Sequence, residues 1–454
     1  MLRRRPFASE AAHGELALRA AERSVASASD GGGKFKFAGD SGFHGEVKRR
    51  VLEYFQHTGL SPRDSPRMYV KTAALLLWFG ASYALLVFAA TTSWQGALLS
   101  FSLALAMAGV GFGIQHDANH GAYSNHSAIN RLMGMTLDML GASSYLWRFK
   151  HNVSHHTYTN LVGADDDIDL GPLGRLSPAQ PHRRFHRVQQ FYLWALYGFL
   201  IPKWHFVYDF KNLARARIAR NRFPRPRGFS LVELFGGKAL FFGWALVVPA
   251  LFHPWWVVLL YYAGTSFVLG LILSVVFQLA HCVEEADFPE PAPGTDRLSD
   301  AWAVHQVQTT VDFARGNRLL AWYVGGLNFQ IEHHLFPRIC HVHYPRIADI
   351  VQAVCAEFGV RYTSHERFLG AVSSHWRWLR RMGRPPPAKP TAQRTGSTET
   401  EFSRARGGSP TTSAVLAADG LEGRVRPTLE ITVEQSPVSR RSDSSSCYRI
   451  DSRR

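Results

Sequence analysis

The chain has 454 residues, enough for two or three ordinary domains, and 46% of them are hydrophobic. Its mean hydropathy of −0.11 excludes a chain embedded in membrane throughout, so long polar tails must dilute an apolar middle. The formal charge of +16 raises nucleic acid as a partner, but the basic residues flank apolar segments and no nucleic-acid module is present, so a membrane surface fits them better.

Residues 1–42 are polar and rich in Gly, Ser and Ala, and they lack the apolar core of a cleaved secretory signal. Their Arg, Ser and Ala content is like that of a transit peptide, whereas Glu10, Glu15 and Glu22 are not, so a disordered tail is the alternative. An amphipathic helix is expected between Gly42 and Met68, with Val47, Val51, Leu52 and Phe55 on one face. Ser61-Pro-Arg-Asp-Ser-Pro66 breaks it. Thr72 to Thr91 carries no charge and is long enough, at about 20 residues, to cross a bilayer. The turn Thr92-Ser-Trp-Gln95 leads into a second apolar run, Gly96 to Ile114. Lys48, Arg49, Arg50, Arg63, Arg67 and Lys71 precede this hairpin and none lies in its turn, which puts the emerging chain on the cytosolic or stromal face.

There the sequence reads His116-Asp-Ala-Asn-His120. Residues 129–147 are moderately apolar but carry Arg131 and Asp138, as an interfacial or re-entrant helix would. His151-Asn-Val-Ser-His155-His156 follows, then an acidic cluster, Asp165 to Asp169, expected to be a solvated cap or an ion-pairing loop. Residues 181–227 are strongly basic and contain an aromatic-rich piece, Phe191 to Tyr208. A crossing there would strand later residues on the wrong face, so it is expected to lie in the interface. The basic stretch is then a contact for membrane phosphates, a docking surface for an acidic redox partner, or a merely solvated surface. Lys238 to Phe252 and Trp255 to Phe277 form a second hairpin turning at His253-Pro254, and the chain leaves it at His281. Gln330-Ile-Glu-His333-His334 comes later still. Residues 340–370 look like a closing helix and turn, and residues 385–454 show no apolar period and read as disordered. Cys282, Cys340, Cys355 and Cys447 have no CxxC spacing, which suggests a reducing compartment and no disulfide framework.

Histidines three or four residues apart share a helix face. Neutral imidazole suits iron, copper, nickel and zinc. His116, His120, His151, His155, His156, His333 and His334 outnumber what one tetrahedral zinc needs, so two metal ions are the economical reading.

These clusters resemble the histidine boxes of the membrane fatty-acyl desaturases: HxxxH, HxxxHH and a third box ending in HH. Gln330, where a first histidine could stand, is similar to the front-end branch and its sphingolipid relatives. Gly113-Ile-Gln-His116, Trp147-Arg-Phe-Lys-His151 and Gly325-Gly-Leu-Asn-Phe-Gln330 extend the likeness, which covers about residues 43–370. The resemblance implies an all-α membrane protein: four transmembrane helices in two hairpins, with a cytosolic-side helical cap holding a di-metal site. The catalytic domain would span residues 43–384.

The resemblance further implies two Fe ions, O2 as co-substrate and two electrons per turnover, with hydrogens removed from adjacent carbons of a fatty acyl lipid or acyl-CoA. It adds His281 to the ligands; beside it, Gln330, His305 and His341 are candidate ligands or supports of ligands, and His343 a candidate support. No His-Pro-Gly-Gly haem motif is present, so electrons would come from a separate cytochrome b5 or ferredoxin, at the endoplasmic reticulum or a plastid membrane. Trp147 and Trp322 are candidates to line an acyl tunnel. A sphingoid-base desaturase or acyl hydroxylase on the same site is the nearest rival. A membrane zinc hydrolase or metal transporter is more distant, since His-Glu-x-x-His is absent.

Overall fold

The computed structural model describes residues 35–385, which are mostly helical. The tail readings for residues 1–34 and 386–454, and Cys447, lie outside the described residues. Among those described, four helices are long and apolar enough to cross a membrane. Helix α1 (Phe43–Thr58) precedes them and buries Phe43, Val47, Val51 and Phe55. Leu52, expected on that face, is 48% exposed instead, because it follows Val51 by one residue and points off the stripe.

The first hairpin joins α2 (Pro66–Phe88) to α3 (Ser93–Asn119). Thr92 begins α3 with a capping box, its hydroxyl accepting from the Gln95 amide while the Gln95 side chain reaches back. Helices α4 (Gln189–Tyr197) and α5 (Leu200–Lys203) are short, as expected of an interfacial piece. The second hairpin joins α6 (Phe229–Ala250) to α7 (Trp255–His281). Helix α6 starts well before Lys238, the residue expected to open it. Charges inside the bundle are neutralised: Lys238 Nζ lies 2.8 Å from Asp209 and donates to the Gly141 carbonyl at 2.6 Å, and Glu233 accepts from Arg131 at 2.6 Å. A charge-free run was therefore too strict a criterion.

The C-terminal part adds α8 (Trp302–Gln308), α9 (Gln330–Leu335), α10 (Tyr344–Phe358) and α11 (Phe368–Met382), while the stretch read as one interfacial or re-entrant helix is broken into short pieces, Ser127–Gly134, Thr136–Met139 and Ser144–Arg148. Helix α10 packs on α1 through Ile347, Val351 and Val354. A two-residue parallel ladder, Asp312–Phe313 with Ser364–His365, ties the chain before α9 to the turn before α11. Residues 35–42, assigned to the tail from sequence, pack on this body. The Lys36 amide donates to Asp296 O at 2.7 Å, Leu298 N donates back to Lys36 O at 2.8 Å, and Phe35 is buried against Leu161 and Leu298.

Two close backbone approaches hold distant segments together, the first just before α9. A Cβ on Gly325, whose φ is +63°, would lie 2.2 Å from the Phe112 carbonyl oxygen of α3. Only glycine fits there. Gly198 and Gly270 similarly bring α4 against α7, with the Gly198 carbonyl 2.6 Å from where a Gly270 Cβ would be.

Candidate metal centre

The first histidine pair sits at the end of α3, just after a π-helical turn over Gly111–Gln115. The second cluster lies largely in another π-helical stretch, Phe149–His155. Wider winding brings residues four and five apart together, which suits His151, His155 and His156. Their rings lie at centroid distances of 5.2 Å (His151–His155) and 4.7 Å (His151–His156). His281 ends α7, and His333 and His334 lie on α9.

All eight histidines converge, each buried. One nitrogen from each of His116, His120, His151 and His333 lies within 4.8 Å of the others. His155, His281 and His334 make a second such group, and His156 joins His333 and His334 in a third. His156 stands between: its ring is 4.7 Å from His120 and 4.3 Å from His334.

The rings are aimed by their outer nitrogens. His155 Nδ1 donates to Asp165 at 3.0 Å, His334 Nδ1 to Gln306 Oε1 at 2.8 Å, and His333 Nδ1 meets the Tyr344 hydroxyl at 3.2 Å. That leaves each Nε2 facing the centre. The buried Nε2 atoms of His120, His333 and His334 have no hydrogen-bond partner. Orphaned buried nitrogens of this kind call for an explanation, and a metal ion supplies one. An all-imidazole donor set fits iron as well as zinc or copper.

Electrostatics agree. Burial, then the neighbouring histidines, holds His120, His151, His156, His333 and His334 well below the ordinary imidazole pKa, hence neutral and able to ligate. His155 is the exception: burial opposes its charge, but Asp165 and Asp167 outweigh that and raise its pKa.

Asp165 is therefore not part of a solvated cap. It is buried, and its carboxylate also accepts the amides of Asn160 and Asp167, both at 3.0 Å. The ion-pairing half of the expectation holds, since Asp167 pairs with Lys150 and Asp166 accepts from Tyr208 at 2.7 Å. Asp165→Asn is expected to weaken metal retention by about 10–100-fold, as loss of a ligand-orienting carboxylate does. A chelator titration of purified protein reads this, and an unshifted midpoint would contradict it.

Asn160 was not singled out from sequence. With φ of 59° it donates to the carbonyls of His281, Asp287 and Thr309 at 2.9–3.2 Å, joining the second box to the end of α7. Gln306 was passed over for its neighbour. His305 is buried, but its ring contacts Phe37 at 5.2 Å and joins none of the nitrogen groups. His341 also stands apart from the imidazole cluster. Its Nδ1 donates to Asp117 at 2.8 Å and its Nε2 accepts from Lys71 at 2.9 Å, so both nitrogens are engaged. With Asp117 and Cys340 it forms a separate buried group, and Lys71 lies at its outer nitrogen. His343 packs on the Phe55 ring at 5.1 Å. Gln330 touches the centre, its Nε2 3.0 Å from His281 Nε2.

A cavity of about 210 Å³ opens beside the rings of His151, His155 and His281, walled by Trp147, Tyr197 and Phe277 among others. Trp147 thus lines it, stacked 4.3 Å from His151. Trp322 does not: it is 43% exposed and lies under Lys71, away from this lining.

Apolar helices whose ends gather a buried nest of imidazoles define a membrane protein with a histidine cluster that could hold metal. The chain belongs to the fatty acid desaturase family, whose profile, described as "Fatty acid desaturase", matches residues 92–366. It is 41% identical over 367 residues to an "sn-1 linoleoyl-lipid 6-desaturase" of Arthrospira platensis, covering 80% of this chain and 98% of that protein. A protein of the same description from Synechocystis sp. is 40% identical over 353 residues, covering 77% and 98%. An "Acyl-lipid (8-3)-desaturase" of Physcomitrium patens is 35% identical over 345 residues, covering 75% and 72%. All three relatives are named as lipid desaturases, and this chain is an oxidoreductase of that family.

Proposed function

We propose that the chain is an O2-dependent di-iron desaturase that places a cis double bond in a long, already unsaturated acyl chain, toward its carboxyl end. The convergence of eight buried imidazoles carries the reading. His116, His120, His151 and His333 would hold one iron, and His155, His281 and His334 the other. His156 completes the set between them, and Gln330 borders the second ion beside His281. Catalysis is assigned to residues 43–384, with 35–42 packed on them.

When bound, the iron pair supplies reduction of O2 coupled to removal of two hydrogens from adjacent carbons, with two electrons from a separate cytochrome b5 or ferredoxin. The chain's own residues do the rest. Asp165, Gln306 and Tyr344 fix ring orientation. Trp147, Tyr197 and Phe277 give the cavity apolar walls that exclude water and hold an acyl chain beside the rings. The names of the relatives, linoleoyl-lipid and acyl-lipid desaturases, favour a chain esterified in a membrane lipid over acyl-CoA.

Fatty-acid analysis of yeast fed polyunsaturated precursors tests this, with a His333→Ala strain beside it. A new product two hydrogens lighter, absent from the variant, is expected. A product carrying an extra oxygen, or none, would overturn the reading.

A further inference from the structure

The cavity beside the histidines has a polar rim as well as apolar walls. Its floor is made of His151, His155 and His281, and its lip includes Leu173 and Phe199, which are 52% and 57% exposed. Two cations line it, Lys150 and Lys203. Lys150 is mostly buried and paired with Asp167. Lys203 is exposed, at the end of α5, and forms no ion pair with a described carboxylate. Its Nζ lies 5.9 Å from the Tyr208 ring, so an aromatic face steadies it without neutralising it. Beyond it, Phe206, Val207 and Phe210 continue an exposed apolar face on the same segment. The opening therefore combines an outward apolar surface, a free cation and a path to the imidazoles.

A lipid entering such an opening has one end that the cation fits. Its ester carbonyl and headgroup oxygens accept hydrogen bonds, and a headgroup phosphate adds charge. Its hydrocarbon part fits the apolar walls. Holding the oxygen-rich end at a fixed lip sets which carbons reach the rings. A chain held only by apolar walls could slide, because such contacts are non-directional.

We infer that Lys203 holds the ester and headgroup oxygens of the acyl lipid at the cavity lip, and so fixes how many carbons separate the polar end from the metal centre. The inference rests on the desaturase reading above and names the residue that measures from the carboxyl end. Lys203 is a specificity-determining residue, and it touches neither the rings nor the metals. The bland alternative is a lysine that merely extends its ammonium to the membrane surface.

The test compares wild type, Lys203→Ala and Lys203→Arg as full chains reconstituted in vesicles, with activity normalised to bound iron. Two acyl substrates are used, a phospholipid and an uncharged glycolipid. For Lys203→Ala we expect KM to rise about tenfold, equivalent to about 1.4 kcal/mol. The effect on kcat is smaller, and the double bond scatters to neighbouring positions. Lys203→Arg restores both. A KM effect on both substrates assigns the contact to the ester oxygens, and one confined to the phospholipid assigns it to phosphate. Unchanged KM and a single product in Lys203→Ala overturn the inference, as does an equal loss of protein or iron in both variants. Absence of any double bond from wild type would instead overturn the desaturase reading.

Discussion

His156→Ala is expected to lower desaturation by at least ~10³-fold, a barrier change of about 4 kcal/mol. His156 is the ring that both nitrogen groups share as a neighbour. It stacks 4.3 Å from His334, lies 4.6 Å from His333, and brings its Nε2 within 3.2 Å of His151 Nε2. Removing it takes a donor from the middle of the centre. The fold should survive, because the backbone there is held independently: Trp302 donates to the His156 carbonyl at 3.2 Å, and Thr159 to that of His155 at 2.7 Å. Iron content and turnover of the purified variant check this. Wild-type turnover with full iron would contradict the shared-centre arrangement.

The second large effect is expected from filling the cavity. Ser274 is buried on α7 and lines the cavity beside Phe277, four residues before Gln278 and seven before His281 on the same helix face. Ser274→Phe places a ring in a space of about 210 Å³. We expect kcat/KM to fall about 100-fold, or about 2.7 kcal/mol, while bound metal stays at the wild-type level. That combination separates substrate access from ligation, since ligand variants lose both. Metal analysis with turnover on acyl lipid checks it, and unaltered turnover would move the acyl chain elsewhere.

Much of this was legible in the sequence because metal chemistry and bilayer thickness both act locally. Histidine spacing marked seven of the converging rings, and charge-free runs marked two hairpins. What was not legible depended on contacts between distant segments. Asp165 read as a surface acid because nothing in its own neighbourhood shows that it lies under His155. Gln306 carried no signal at all, since an amide that orients a ring 28 residues away has no local signature. His305 and His341 were attractive by type alone. Neither joins the imidazole cluster: the His305 ring packs against Phe37, and the two His341 nitrogens engage Asp117 and Lys71. The start of α6 was misplaced because Glu233 and Lys238 are neutralised by partners that only the folded chain brings near. The π-helical winding of the second box was equally invisible, although it explains why HxxxHH, with its adjacent pair, can face one centre.

The most direct test of the central claim is metal analysis of the purified full chain, beside His333→Ala. About two irons per chain are expected in the wild type and clearly fewer in the variant. Zinc as the sole metal, or iron unaffected by loss of His333, would contradict a histidine-held pair of irons.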